Sequence, residues 1–263
     1  MDEEENRLVA ESIREAIADN PKKTKQGLLK TLLRHYGLKN RQKHWLEAIQ
    51  ASLTDQGIIV TPDLEAAGRE DWIWLTVADP SVPVGDFDPD DAEGGGMPDP
   101  HTDPWLSTVS GRVYRTEKEV EIRFVIPLLE RLGYGEADRS DGFPVEQAIG
   151  GRKVRTEADF VLFDGANRGQ DNALMVVEAK VDGKALADHV AQAKSYAMFL
   201  GTPYFMVTNG DEVRVNLYRS PIESHVEVYK ASRHDLAATF PALYNLVSKA
   251  AVVAYKAKKG QVR

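Results

Sequence analysis

The triplet Glu178-Ala179-Lys180 closes an apolar run, Ala173-Leu174-Met175-Val176-Val177, which reads as a buried strand. Residues two apart on a strand point to the same face, so the acid and the amine are side by side. A second acid, Asp159, ends the polar half of an earlier strand-like run, Asp159-Phe160-Val161-Leu162-Phe163. Two carboxylates and a lysine at the ends of adjacent strands can hold a hard divalent cation beside a water. That chemistry suits cleavage of a phosphodiester: oxygen ligands lower the pKa of a metal-bound water, and the lysine polarises it further. Taken alone, the triplet equally describes a solvated ion pair at a strand end. Asp182-Gly183-Lys184 offers a second copy, but its glycine marks a turn after the strand.

The elements that must position these residues follow in order. Residues 116–132 have helical periodicity, with apolar Val120, Phe124, Ile126, Leu128, Leu129 and Leu132, and Gly133 supplies a stop. Strands are predicted over 143–149, 155–163 and 173–180, with Gly150-Gly151 as a turn. A helix over 185–200 ends at Gly201. Strands over 204–208 and 212–218 flank a hairpin turn at Asn209-Gly210. The predicted order is helix, three strands, helix, two strands, in an α/β domain.

In this order the chain resembles the PD-(D/E)xK nuclease superfamily, and within it the N-terminal nuclease domain of type I restriction enzyme R subunits. The resemblance covers about residues 116–218. It rests on Glu117 with Pro127-Leu128-Leu129-Glu130-Arg131-Leu132-Gly133-Tyr134, on Gly151-Arg152-Lys153 leading to Ala158-Asp159, and on Glu178-Ala179-Lys180. Gln192-Ala193-Lys194-Ser195-Tyr196 matches a Gln-x-x-x-Tyr helix motif of some branches, and Thr208-Asn209-Gly210 closes the match. Ala158 stands where the superfamily pattern has proline.

The resemblance implies a restriction-endonuclease-like αβββαββ core and a set of roles. Asp159 and Glu178 would ligate Mg²⁺ or Mn²⁺, with the carbonyl of Ala179 completing the edge. Lys180 would orient or help deprotonate the water. Glu117 or Glu121, four apart on one helical face, would add an outer acid; Glu117 fits the family position better, but spacing does not choose between them. Gln192 and Tyr196 would contact the substrate phosphate or steady the lysine, unless they form an ordinary helix face.

Residues 1–78 carry a second pattern. Apolar periodicity predicts a helix with Leu8, Val9, Ile13, Ala16 and Ile17. A second is capped by Thr24 and buries Leu28, Leu29, Leu32 and Leu33. A third is capped by Asn40, with Trp45, Leu46, Ile49 and Leu53 inward. Two strands follow, around Ile58-Ile59-Val60 and over 71–77. Three helices and a hairpin suggest a winged helix. Residues 20–46 hold eight Lys or Arg and no acid, a single-sign run suited to phosphates. Lys39, Asn40, Arg41, Gln42 and Lys43 would then sit at the start of a recognition helix facing duplex DNA. A basic solvated face, or a protein-binding winged helix, has the same composition.

Net charge is -8, which is unusual for a nucleic-acid binder. Residues 79–104 account for it, with eight acids, no Lys or Arg, and abundant Pro and Gly. Residues 79–110 therefore read as an acidic flexible linker, and 111–263 as the nuclease domain with a C-terminal helix over 233–255. That helix, with Leu236, Phe240, Leu243, Leu246 and Val247 on one face, either packs on the sheet or forms a homodimer. There is no cysteine, which removes thiol nucleophiles and thiolate zinc sites, and the six histidines lack ligand spacing. No Gly-x-x-x-x-Gly-Lys-Ser/Thr run is present, so cleavage is expected without ATP. The acidic start and the lack of a membrane-length apolar run give a cytoplasmic expectation without membrane contact. Separate partner subunits stay open. The alternatives to a DNA endonuclease are a regulator on the same fold and an RNA nuclease.

Overall fold

A computed structural model of the chain describes residues 3–20, 23–77, 96–149, 152–181 and 186–260. Lys22, most of the acidic linker, the Gly150-Gly151 turn and Asp182-Gly183-Lys184 lie outside the described residues. The chain divides into two compact units, Met1–Gly94 and Gly95–Arg263.

The first unit contains α1 (Glu3–Ala18), β1 (Thr24–Leu28), α2 (Leu29–His35), α3 (Lys43–Asp55), β2 (Ile58–Thr61) and β3 (Trp72–Val77). Its antiparallel sheet has the order β1-β3-β2. The helices bury Val9, Ile13 and Ile17 from α1, Leu29, Leu32 and Leu33 from α2, and Leu46, Ile49 and Leu53 from α3. Two sequence expectations are corrected here. Thr24 does not cap a helix: residues 24–28 pair with β3, Thr24 opposite Thr76, and the helix begins at Leu29. Strand β3 has a second edge to satisfy, and its backbone groups outweigh the local helical pattern. Asn40 does not cap α3 either, because the helix starts after Gln42, which makes no side-chain cap.

The second unit is built on a six-stranded sheet, β4-β5-β6-β7-β8-β9. A helix precedes it, running from α4 (Glu117–Glu119) through a π-helical stretch, Val120–Val125, into α5 (Ile126–Arg131). Thr116 caps its start by accepting from the Glu119 N–H at 3.1 Å. Then come β4 (Arg139–Ile149), β5 (Arg152–Phe163), β6 (Ala173–Ala179), α6 (Ala187–Leu200), β7 (Tyr204–Thr208) and β8 (Glu212–Leu217). This is the order the periodicity predicts. Neighbouring strands are antiparallel except β6 and β7, and a parallel pair needs the crossover that α6 provides. Strand β6 is buried at every position, as its unbroken apolar run requires.

Three features differ from the sequence reading. An edge strand, β9 (Val226–Ser232), pairs with β8 and was not anticipated; four of its seven residues are exposed, so its apolar signal is weak. The C-terminal helix is two helices, α7 (Leu236–Val247) and α8 (Lys249–Gly260). The break at Ser248 is held by the Lys249 N–H on the Leu132 carbonyl (2.9 Å) and the Tyr134 hydroxyl on the Val247 carbonyl (3.1 Å). The stretch Leu236–Lys259 is long and apolar enough to cross a membrane by length and composition. Here Leu236, Phe240, Leu243 and Val247 are buried in the core of the unit, and Leu246 packs against it partly buried. Finally, residues 105–109, which composition assigns to a flexible linker, belong to the core of the second unit. Trp105, Leu106 and Val109 are fully buried, the indole N–H donates to the Arg123 carbonyl (3.0 Å), and Asp103 pairs with Arg131 at 2.7 Å. Three apolar anchors set among Pro and Asp do not change the average composition, which is why it concealed them.

Candidate active site

Strands β5 and β6 pair from Phe163 back to Phe160, opposite Val177, and there the ladder stops. One step further, Asp159 and Glu178 stand opposite each other and their carboxylates take over the backbone donors. Glu178 Oε1 accepts from the Asp159 N–H at 3.3 Å, and Asp159 Oδ2 accepts from the Ala179 N–H at 2.8 Å. Strand β6 stays attached on its other side, where the Lys180 N–H donates to the Thr208 carbonyl at 2.8 Å. The two strands thus part where the acids lie, and each acid is fixed by its neighbour's main chain.

Lys180 joins the acids. Its Nζ lies 3.3 Å from Asp159 Oδ2, 3.4 Å from Glu178 Oε2 and 3.7 Å from Glu117 Oε1. The amino end of the preceding helix delivers two acids, since carboxylate oxygens of Glu117, Glu121 and Asp159 all lie within 4.8 Å of one another. The choice between Glu117 and Glu121 therefore does not arise: both arrive. Glu117 is partly exposed. Glu121 is 4% exposed and pairs with Lys118 at 2.8 Å, a residue the sequence reading did not single out.

Glu178 is 1% exposed. Burial first, then the neighbouring Asp159 charge, push its carboxyl up to about 8 from an ordinary 4.5. Burial opposes the charge on Lys180, but Asp159, Glu178 and Glu117 outweigh it and its pKa is raised. Glu178 Oε2 is buried without a hydrogen bond. Among the described residues, the carboxylates of Glu117, Glu121, Asp159 and Glu178 gather with the ammonium groups of Lys118 and Lys180. An all-oxygen donor set, with Glu178 Oε2 buried and met among the described residues by the Lys180 ion pair, fits a hard divalent cation.

Gln192 and Tyr196 are not drawn into this cluster. The Gln192 amide donates to the Tyr196 hydroxyl at 3.0 Å, and Tyr196 is buried among Val145, Ala158 and Val207. Among the described contacts none joins either residue to Asp159, Glu178 or Lys180.

In the first unit, Lys39, Asn40, Arg41, Gln42 and Lys43 are all exposed at the start of α3. Acids accompany them: Lys43 lies 3.2 Å from Glu65 and 3.8 Å from Glu47, and Arg41 donates to the Glu65 carbonyl. Further along α3, a groove is lined by Glu47, Asp55, Asp63 and Glu65. Only the amino end of the helix is basic.

Comparison with known proteins bears on the second unit. Residues 116–230 match the family model of the type I restriction enzyme R protein N terminus (HSDR_N). This stretch is a type I R-subunit-like domain. It contains every acid of the cluster and Lys180. A fragment structure of a putative HsdR subunit of a type I restriction enzyme from Vibrio vulnificus YJ016 is similar at 20% identity, over 52% of this chain and 27% of that one. Its TM-score is 0.35, too low to carry a structural argument, and the present chain spans about a quarter of its length. No curated protein matches.

Proposed function

We propose that the second unit is a metal-dependent nuclease of the PD-(D/E)xK kind, hydrolysing phosphodiesters of double-stranded DNA in a restriction or defence setting. The observation that carries this reading is the parting of β5 and β6 at Asp159 and Glu178, with Lys180 and the two helix acids converging on the gap. The match to an R-protein N terminus supports the same substrate class.

Asp159, Glu178, Glu117 and Glu121 supply the oxygens that would hold Mg²⁺ or Mn²⁺, with the Ala179 carbonyl at the edge. A bound divalent ion acidifies a water and neutralises the phosphate. Glu178 must give up its proton to serve as a ligand, so binding releases a proton at neutral pH. Lys180, held by three carboxylates, stays charged and can orient a water or stabilise the phosphate.

The first unit supports a winged-helix reading through its order α1-β1-α2-α3-β2-β3 and its β1-β3-β2 antiparallel sheet. Residues 39–43 would then face DNA phosphates, which would compete with the Glu65 and Glu47 carboxylates for Lys43 and with the Glu65 carbonyl for Arg41.

The test is incubation of the purified chain with plasmid DNA, and separately with RNA, in Mg²⁺ or Mn²⁺, with EDTA and Asp159→Ala as controls. Metal-dependent DNA cleavage lost in Asp159→Ala supports the proposal. Cleavage of RNA alone would move it to an RNA nuclease. DNA binding without cleavage under any metal would make the chain a regulator.

A further inference from the structure

The turn between β7 and β8 lies against the helix that carries two of the four acids. Its geometry is tightly specified. The Thr208 carbonyl anchors the Lys180 N–H, the Thr208 hydroxyl accepts from the Gly210 N–H at 3.1 Å, and Asn209 Oδ1 accepts from the N–H groups of Asp211 (3.1 Å) and Glu212 (2.9 Å). Gly210 has φ +79°. A Cβ built there would stand 2.8 Å from Tyr114 Cδ2 and 3.2 Å from Val120 Cγ2. Tyr114 precedes the Thr116 cap, and Val120 lies between Glu117 and Glu121 on the same helix. Buried Arg233 reinforces the contact from behind. It reaches the Gly210 carbonyl (3.5 Å) and Asp211 (3.4 Å), and its guanidinium lies 5.6 Å from the Tyr114 ring centre. Arg123 lies 5.8 Å from the same ring centre.

We infer that Gly210 is a positioning residue: by letting the β7–β8 turn seat directly on Tyr114 and Val120, it sets the distance between Glu117 and Glu121 on the helix and Asp159 on the sheet. The same turn fixes Lys180 through Thr208, so one short segment registers both halves of the cluster. The inference rests on the metal-site reading above.

Gly165 provides an internal control. It also has φ +79° and sits in the turn between β5 and β6, but a Cβ there meets nothing within 4 Å. Gly165→Ala therefore carries the same backbone strain without the contact. Mn²⁺ affinity, read from free Mn²⁺ by electron paramagnetic resonance, and thermal unfolding are measured for the full chain, Gly210→Ala, Gly165→Ala and Arg233→Gln. Both alanine variants are expected to melt a few degrees lower, but only Gly210→Ala should weaken Mn²⁺ binding, by about tenfold or more, the usual scale for disturbing groups that orient ligands. Arg233→Gln, which frees the turn without adding a Cβ, should weaken it several-fold. Mn²⁺ affinity unchanged in Gly210→Ala, or reduced equally in Gly165→Ala, overturns the inference. If Gly210→Ala does not fold, Arg233→Gln decides alone, and unchanged affinity there overturns it. Failure of the unaltered chain to bind Mn²⁺ removes the metal reading and the assigned role with it, an outcome distinct from a variant-specific null.

Discussion

At the residue scale the site is a contest between burial and charge, and Glu178 is where the contest is sharpest. Burial and Asp159 favour its neutral form, whereas a cation requires the ionised form. Asp159→Ala and Glu178→Ala should each lower cleavage by at least ~10²-fold while far-ultraviolet circular dichroism stays unchanged. Retained cleavage in either variant would remove the assignment. The raised pKa of Glu178 also fixes the sign of a pH effect. Its folded value, about 8, is above its ordinary 4.5, so the folded state holds the proton more tightly than the unfolded chain does. The resulting stabilisation is complete below about 4.5 and is lost as pH rises through about 8. Metal-free protein should therefore lose melting temperature from pH 5 to 9, and Glu178→Gln should flatten that slope. Mn²⁺ affinity should rise over the same window, because the competing proton leaves.

At the element scale the second unit depends on a segment that composition assigns to a linker. Trp105 is wholly buried against Phe124, 5.6 Å between ring centres, and beneath the Arg131 guanidinium. Trp105→Ala should cost the second unit about 3–5 kcal/mol, the usual range for deleting a buried tryptophan. A chain beginning at residue 96 is expected to unfold cooperatively, and one beginning at residue 111 to melt much lower or not fold. Denaturant titration of the two separates these outcomes, and equal midpoints would return residues 96–110 to the linker.

At the scale of the whole molecule, two units with different chemistry share one chain, and the net charge describes neither. Residues 1–78 alone should bind duplex DNA with an affinity that falls with salt, each neutralised phosphate adding roughly 0.9 to the log-log slope. Arg41→Ala with Lys43→Ala should weaken binding and flatten the slope. Glu65→Gln should strengthen it, because Glu65 holds Lys43 by an ion pair. A salt-independent affinity would instead point to a protein partner. Cleavage by the full chain is expected to need Mg²⁺ or Mn²⁺ and no ATP, since the sequence contains no P-loop. A strict ATP requirement in homogeneous protein would reveal a nucleotide site of another kind.

The sequence by itself determined the features that short-range chemistry controls. The unbroken apolar run of β6 reads as a buried strand, and every position of it is buried. Gly201 stops α6 with φ +68°, and Asn209-Gly210 turns β7 into β8. The order of elements followed, and with it the placement of Glu178 and Lys180 at the end of β6; Asp159, expected at a strand end, lies inside β5 where its pairing with β6 stops. Tertiary structure decided whatever depends on a distant partner. Residues 24–28 became a strand because β3 had an edge to fill, and Trp105 became core because Phe124 and Arg131 were there to receive it. Ser248 became a break because the Leu132 carbonyl captured the next N–H. Glu121 joined the cluster only when the helix was set against the sheet. A linear pattern records a residue's own preference and that of its neighbours. It does not record which backbone edge or apolar surface, a hundred residues away, will compete for it.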